Sequence, residues 1–456
     1  MQIQSDVGAG EVATTIFHVL SQTSPEYWRY VAEGGATCVF SYIGPPHSML
    51  DGTVLRLRKI RKDQILDADR TTVMCDPNEA PGDAQLFFQR NVIQRLVPPE
   101  HLPRLEIVHL DQTWLNQLIQ LHDEARPPLR RLKDEIDRRS TTAILATDLV
   151  RQEGLAVEIK PKWGFLPSAT YLSPQTRTVK MRTCRFCMHT HLRSAQGEKA
   201  ATEYCPLDLY SCDEPRVRRS LHALWEHWVG NDGEINNLRI FVKGKNIVPS
   251  QDAEKLHAIS GLFDVASDTS HNASSLDEIR NRFIDTLIPI VLHSPVLSLL
   301  SRLQRTLDPL DVEGLAGLWS RAHSELTPEP SLGQGLAEPS EQLWAHFVDE
   351  YNTRLASLEK EYDEPRPQAH ELEYYCMAYM LSATFKDCSI IINLAGKDAK
   401  SVKVIDLDVK SISRLEKWDK LDREIVSKYA MLDTPKTCVD RWAKGGQAEQ
   451  CNALDA

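Results

Sequence analysis

An α+β fold in two parts is what this sequence predicts, and three observations carry the expectation. Strand-like alternation crowds the first 150 residues. From about Leu155 longer helical periodicities take over. A chain of 456 residues also suffices for two domains, or one large two-lobed body, with ample core. In the first part, ATCVFSYIG (36–44) and GTVLRLRKI (52–60) alternate apolar and polar residues and are joined by PPHSMLD, which reads as a hairpin. RLEIVHL (104–110) and TAILATD (142–148) are two further strands, whereas FFQRNVIQRLV and TWLNQLIQLHDEA have helical spacing. In the second part a strand at 155–160 precedes helices such as RVRRSLHALWEHWV (216–229). TLIPIVLHSPVLSLL, broken by prolines, reads as a buried, kinked helix. Residues 246–275 read as irregular, 325–340 as a mobile Pro/Gly/Ser segment, and 341–383 as a helix pair broken at DEPRP. CSIIINL (388–394) and VKVIDLDVK (402–410) close the fold as strands. The domains expected are therefore a sheet-rich one over 1–150 and a larger mixed one over 151–435, with a helical insertion at about 246–380. A disordered tail is expected over 436–456.

Composition narrows the function classes. The net charge is −11, which argues against general nucleic-acid binding. No apolar run approaches the roughly 20 residues that span a bilayer. The start, MQIQSDVGAGE, lacks a basic region followed by an apolar core, so it does not read as a secretory signal. Ten cysteines are too few for a disulfide scaffold, and reduced thiols are expected. Yet the cations are clustered, in LRLRKIRK (55–62), RPPLRRLK (126–133) and KMRTCRFCMHTHLR (180–193). Each cluster alone fits a solvated face; together, in an acidic chain, they suggest a local anion site.

Five patterns bear on chemistry. In VEIKPKWGFLP (157–167), alternation puts Glu158 and Lys160 on one face of a strand, and Lys162 with them if the chain stays extended past Pro161. A two-lysine phosphate bracket and a charged edge strand are both compatible with that. EGGATCVFSYIG (33–44) followed by VLRLRK (54–59) has the layout of a glycine loop covering phosphates, with Arg56 and Arg58 on one face of the next strand. No GxxxxGK[ST] motif is present, which excludes a P-loop. In FKDCSIIINLAGKDAKSVKVIDLDVK (385–410), a hairpin centred near Gly396–Lys397 would set Asp387 opposite Asp406, suiting a base and a Mg²⁺ ligand. Fourth, CRFCMHTH offers Cys184, Cys187, His189 and His191. A structural zinc site needs a second pair of matched spacing, and Cys205 and Cys212, seven apart, match poorly. These cysteines therefore read as small buried hydrophobes. Asn236 and Asn237, before RIFVK, are turn residues or phosphate donors.

EGGATCVFSYIG, VLRLRK, ARPPLRR, VEIKPKWGFLP, CRFCMHTHLR, YCPLDLYS, NNLRIF, KDCSIII and VIDLDVK, in this order over roughly residues 28–430, resemble the inositol-pentakisphosphate 2-kinase family. The resemblance implies a two-lobed fold distantly like protein kinases. It implies ATP and Mg²⁺ as cofactors, and transfer of the γ-phosphate to the 2-hydroxyl of inositol pentakisphosphate to give the hexakisphosphate (phytate). A monomer in nucleus or cytoplasm, without nucleic-acid or membrane partners, is expected. By the same resemblance Gly34, Gly35, Ala36, Thr37, Arg56, Asp148 and Glu158 belong to the ATP site. Asp387 would be the catalytic base and, with Asp406, a metal ligand, and Lys160 would contact the transferred phosphoryl group. Arg61, Arg126, Lys160, Lys162, Arg193, Asn236, Asn237, Lys410, Arg414 and Trp418 would contact substrate. The chain departs from the pattern at Thr37 (asparagine in plant members), Trp163 (usually cysteine), Arg193 (lysine) and Trp418 (a phenol). The second-lobe zinc site of plant members needs a Cys-x-x-Cys within 265–385, which is missing here, so no zinc is expected. Two other classes remain: a catalytically inactive inositol-phosphate binder, and a metal-dependent glycosyl or nucleotidyl transferase using Asp406 and Asp408.

Overall fold

Alternating apolar residues fold the first part into a sheet. A computed structural model describes residues 19–35, 37–62, 81–150, 154–251, 256, 259, 275–361, 367–394 and 401–442. The chain forms two compact units, one of residues 1–87 and 103–152 and one of residues 88–102 and 153–456.

In the first unit the strands are β1 (Trp28–Glu33), β2 (Thr37–Tyr42), β3 (Thr53–Arg61), β4 (Leu105–His109), β5 (Asp134–Ile136) and β6 (Thr142–Thr147). They pair antiparallel in the order β1-β2-β3-β6-β4, with β5 on β3. Helix α1 (Pro81–Asn91) lies between β3 and β4, and α2 (Gln112–His122) follows β4. The Asp111 carboxylate starts α2 by accepting from the Trp114 N–H at 2.9 Å, which satisfies one of the free donors of its first turn. The spacing of Trp114, Leu115, Leu118 and Ile119 turns one face of α2 inward. They share a core with Trp28, Phe40, Leu55 and Leu57. The short helix α3 (Pro128–Lys133) precedes β5.

The second unit is built on β7 (Leu155–Ile159), which pairs with β8 (Leu238–Val242) on one side and β10 (Ser389–Asn393) on the other. The edges are β9 (Lys245–Asn246) and β11 (Ser401–Ile405). Every residue of β7 and β10 is buried, as central strands require. The helices are α4 (Pro174–Lys180), α5 (Arg185–Ala195), α6 (Pro206–Leu209), α7 (Glu214–Gly230), α8 (Leu276–His293), α9 (Pro295–Leu307), α10 (Asp311–Ala322), α11 (Glu341–Glu361), α12 (Leu372–Asp387) and α13 (Arg414–Tyr429). The kink read near Pro295 is a break: α8 ends on Ser294, whose hydroxyl caps α9 by accepting from Val296 N–H at 3.3 Å. Among the described residues no single helix is long and apolar enough to cross a membrane.

Several expectations change here. Segment 325–340 has irregular backbone but packs: Leu332 is buried, and the Glu338 carboxylate accepts from Ile412 N–H at 3.1 Å. Most of 246–275 and the turn at Gly396–Lys397 lie outside the described residues. The tail read as disordered is held through Trp442, with Cys438 and Asp440 buried. Among the described residues seven cysteines are buried free thiols.

Candidate active site

The site of the second unit begins where β7 ends. The strand stops at Ile159, and Lys162 takes a left-handed backbone (φ 66°), so the expected extended run past Pro161 does not occur. A non-glycine residue there is uncommon and costs energy that the surroundings must hold. They do so through the loop's carbonyls. Pro161 accepts from Tyr204 Oη at 3.0 Å, and Lys162 accepts from Gln304 Nε2 at 3.0 Å and Tyr210 Oη at 3.3 Å. Gln304 is fully buried and also accepts from Gly164 N–H at 2.8 Å and donates to Phe385 C=O at 3.0 Å. One amide thus ties the Lys162 loop to the end of α12, two residues before Asp387.

The two lysines therefore diverge. Lys160 Nζ meets Asp406 Oδ2 at 2.9 Å, and Lys162 Nζ meets Asp387 Oδ1 at 3.0 Å. Lys410 Nζ reaches the other Asp387 oxygen at 3.3 Å. The expected hairpin forms, but offset by one residue, with Ser389 paired to Ile405 and Asn393 to Ser401. Asp387 is not in it. The apolar run of α12 extends the helix to Asp387, so the helix end, not strand pairing, aims this carboxylate. Asp406 follows β11 in a left-handed conformation (φ 60°), which Asp tolerates better than most residues. Thr384 Oγ1 on α12 donates to Asp408 C=O at 2.9 Å and holds the same loop.

Burial raises the Asp387 carboxyl, but Lys162, Lys410 and Lys160 outweigh it and hold the group below the ordinary carboxylate range. It is ionised at neutral pH and its side chain is half exposed. For Lys160 burial lowers the ammonium, yet Asp406 and, more weakly, Glu158 and Asp387 raise it, so it keeps its charge. Two carboxylates and three ammoniums thus meet in one place.

Glu158, expected at the ATP site, is turned into the protein. Its side chain is buried, accepts from Ser389 Oγ at 2.8 Å and lies 3.5 Å from Arg239. Ser389 Oγ also reaches Asp406 Oδ2 at 3.2 Å. Asn237 is likewise turned inward: its Nδ2 donates to Lys160 C=O at 3.2 Å, while the Lys160 N–H donates to Asn237 C=O at 3.0 Å. Asn236 is exposed beside it. Arg193, on α5, pairs with Glu198 at 2.7 Å. His189, one turn earlier, lies in the field of Arg185, Arg193 and Lys162; burial first, then those cations, push it down to about 4. Arg414 is exposed at the start of α13, and Trp418 packs edge-on to Tyr379 at 5.6 Å. The bulk of Trp163 is explained by its faces: Arg185 sits 5.4 Å and the Lys386 ammonium 5.9 Å from the ring centre. Gln304 lay in no motif; Ser389 and Arg239 lay inside KDCSIII and NNLRIF without a role being read for them, and His189 was weighed only as a metal ligand. The place of Gln304 on the apolar face of α9, with Leu297, Leu300 and Leu307, was the one available signal.

The remaining expected residues lie in the first unit. Gly34 and Gly35 form an exposed turn closed by the Gly34 N–H to Thr37 C=O bond at 2.9 Å. A Cβ at either glycine would meet nothing within 4 Å, so packing does not explain them. Ala36 lies outside the described residues. Arg56 is half-buried on β3 between Val39 and Ile144, and Arg61 ends that strand. The buried Asp148 carboxylate accepts from Ser41 Oγ and from Val150 N–H at 3.0 Å. Arg126, expected to contact substrate, is enclosed. Only 1% exposed, it is locked to Glu33 (3.0 Å), Asp134 (2.7 Å) and Asp123 (3.1 Å), and Lys59 bonds the same Glu33 and Asp134 oxygens at 3.0 Å. It is a structural ion pair here, not a presented cation.

Could the site hold a divalent cation? Asp406 is 44% exposed, and its Oδ2 meets Lys160 Nζ at 2.9 Å and Ser389 Oγ at 3.2 Å; an exposed carboxylate there suits a hard cation held by one or two carboxylates and completed by phosphate oxygens. The mixed α/β fold thus gathers acidic and basic side chains where β7, β11 and α12 end, a charged cluster of the kind enzyme sites use.

Comparison with known proteins agrees. A family model described as inositol-pentakisphosphate 2-kinase matches residues 30–424. A protein of Cryptococcus neoformans var. neoformans serotype D (strain JEC21), named inositol-pentakisphosphate 2-kinase, is 32% identical over 433 residues, covering 89% of this chain and 94% of its own. Proteins of the same name from Oryza sativa subsp. indica (27% over 478 residues, 93% and 99% covered) and Arabidopsis thaliana (26% over 459, 90% and 95%) are also similar. The chain belongs to the inositol-pentakisphosphate 2-kinase family, and it is an enzyme, a kinase.

Proposed function

We propose that this kinase transfers the γ-phosphoryl group of ATP to the axial 2-hydroxyl of inositol 1,3,4,5,6-pentakisphosphate, giving the hexakisphosphate and ADP. The observation that carries the proposal is the Asp387 carboxylate held ionised among Lys162, Lys410 and Lys160. Phosphoryl transfer asks little covalent chemistry of a protein and much positioning and charge neutralisation. Asp387 accepts the hydroxyl proton as the oxygen attacks. Lys162 and Lys410 leave Asp387 for substrate phosphates, and Lys160 faces the moving phosphoryl group. Arg193, Arg414, Arg61, Asn236 and Trp418 complete the substrate set. Asn237 acts by holding the Lys160 backbone, and Arg126 reaches substrate only if its ion pairs open. Asp406 would hold Mg²⁺, which when bound neutralises phosphate charge. The open Gly34-Gly35 turn and Arg56 suit the ATP phosphates, and the fold is read as a distant relative of the protein kinases. The same proposal makes the enzyme a monomer of nucleus or cytoplasm. The inactive-binder reading leaves the ionised Asp387 beside Asp406 without a purpose.

The test is incubation with Mg²⁺-ATP and inositol pentakisphosphate, with products resolved by anion exchange. Hexakisphosphate is expected, and a folded protein that makes none refutes the proposal. Asp387→Asn should lower kcat by about 10²–10⁴-fold with substrate binding retained. Collapse of binding instead would remove Asp387 from the role of base.

A further inference from the structure

Cys184, Cys187, Cys205 and Cys438 converge. Their four sulfurs lie within 4.8 Å of one another, and all four residues are buried. Sequence spacing had set this possibility aside, because Cys212 was the partner considered for Cys205 and the tail holding Cys438 was read as disordered. We propose that these four thiols bind a single structural zinc ion.

The geometry is that of a closed, mononuclear site. With Zn–S bonds of about 2.3 Å, the sulfurs of a tetrahedral site stand about 3.8 Å apart, inside the observed limit. All four are free thiols, so neither disulfide that the cluster could contain is present. An iron–sulfur cluster places sulfide between its irons and holds the cysteine sulfurs farther apart. The ligand set is soft and all-sulfur, with no carboxylate or open position, which selects zinc over magnesium or calcium. Burial as small hydrophobes would not bring sulfur to sulfur from three chain segments. Cys38, Cys376 and Cys388, also buried, belong to no such group among the described residues.

The local structure is built for thiolates. Cys184 is the N-cap of α5, and its sulfur accepts from the Cys187 N–H at 3.4 Å, so the positive end of the helix faces the cluster. The ammonium of Lys436 lies in the field of all four sulfurs and is steadied by Glu203 C=O at 3.3 Å. It offsets part of the double negative charge of a four-thiolate zinc site.

The site has a mechanical consequence. Cys438 N–H donates to Arg182 C=O at 2.7 Å, and Thr183 Oγ1 donates to Lys436 C=O at 2.5 Å. Next to Cys205, Tyr204 holds the Pro161 carbonyl; two residues after Cys438, Asp440 accepts from Leu166 N–H at 2.6 Å. Zinc would thus fasten the C-terminal segment behind the loop that carries Lys160 and Lys162. It lies apart from the Asp406 site and is independent of which phosphate the enzyme transfers.

The full chain, purified without chelators from zinc-supplemented medium, is assayed for metals by mass spectrometry of the native protein and elemental analysis. One zinc per chain is expected, released when a mercurial blocks the thiols. Cys438→Ser should lose the metal, whereas Cys376→Ser, another buried cysteine, should keep it. If Cys438→Ser does not fold, the wild type decides: stripping with a strong chelator should lower Tm, and Zn²⁺ should restore it. Zinc-free protein unmoved by added Zn²⁺, bound iron in place of zinc, disulfides among the four in non-reducing peptide maps, or a Cys438→Ser protein that keeps its zinc each overturn the proposal. The readout is metal, not turnover, so failure of the kinase proposal would leave it standing.

Discussion

Replacing Gln304 with leucine removes the amide that ties the Lys162 loop to the end of α12, while filling nearly the same volume. Four bonds go: from Gly164 N–H, and to the Lys162 carbonyl, the Phe385 carbonyl and Tyr210 Oη. The side chain is fully buried, so water does not replace them. An orphaned buried N–H costs about 1–3 kcal/mol, and each lost carbonyl bond about 0.5–1.5 kcal/mol. The fold should lose about 2–6 kcal/mol by these same figures, a large part of a typical domain's stability of roughly 5–15 kcal/mol. The catalytic effect is separate. Lys162 and Asp387 are placed by the two carbonyls that Gln304 holds, and a shift of about 1 Å costs on the order of 10²-fold in rate. Gln304→Glu keeps the acceptor for Gly164 N–H but turns a buried carboxyl toward the Lys162 and Phe385 carbonyls, so it should be at least as damaging as Gln304→Leu. Urea unfolding and steady-state kinetics, read together, are the assay. A Gln304→Leu protein of wild-type stability and kcat would refute the reasoning. A loss of stability with kcat unchanged would reduce Gln304 to packing.

Two further predictions follow from the electrostatics. Because its lysines hold Asp387 below the ordinary value of about 3.9, its ionic contribution to stability is present above that value. It is lost only as pH falls through the lower folded value. Lys162→Met should move its titration up toward the ordinary value, read by NMR of the carboxyl carbon; an unmoved titration would show that Lys162 does not set it. Arg126→Ala should cost about 3–5 kcal/mol, because it leaves Glu33 and Asp134 buried with Lys59 alone. Unchanged stability with a raised substrate KM would instead make Arg126 a substrate contact.

What the sequence made legible was local and periodic. The strands at 37–42, 53–61, 105–109, 142–147 and 155–159, and the helices at 112–122 and 214–230, followed from alternation and helical spacing. So did the identity of the charged residues at the site: VEIKPK and IDLDVK brought Lys160, Lys162, Asp406 and Lys410 into view, and KDCSIII brought Asp387. How those residues meet was not legible. Alternation placed Lys162 beside Lys160, but one left-handed residue turns it to a different carboxylate. Hairpin arithmetic set Asp387 opposite Asp406 at the open end of a hairpin, but the helix before it ran on to include it.

The sequence by itself determined the two-part α+β chain, the family and the charges the site would draw on, because residue type and short-range period are properties of a segment. Only the tertiary structure decided which polar groups are engaged internally, as the charges of Arg126 and Glu158 and the amide of Asn237 are. It alone joined Cys438 to Cys184, Cys187 and Cys205. The physical reason is the same in each case: an ion pair or a ligand shell needs only a few ångströms in space, and spacing along the chain carries no record of that distance once the intervening segments fold back.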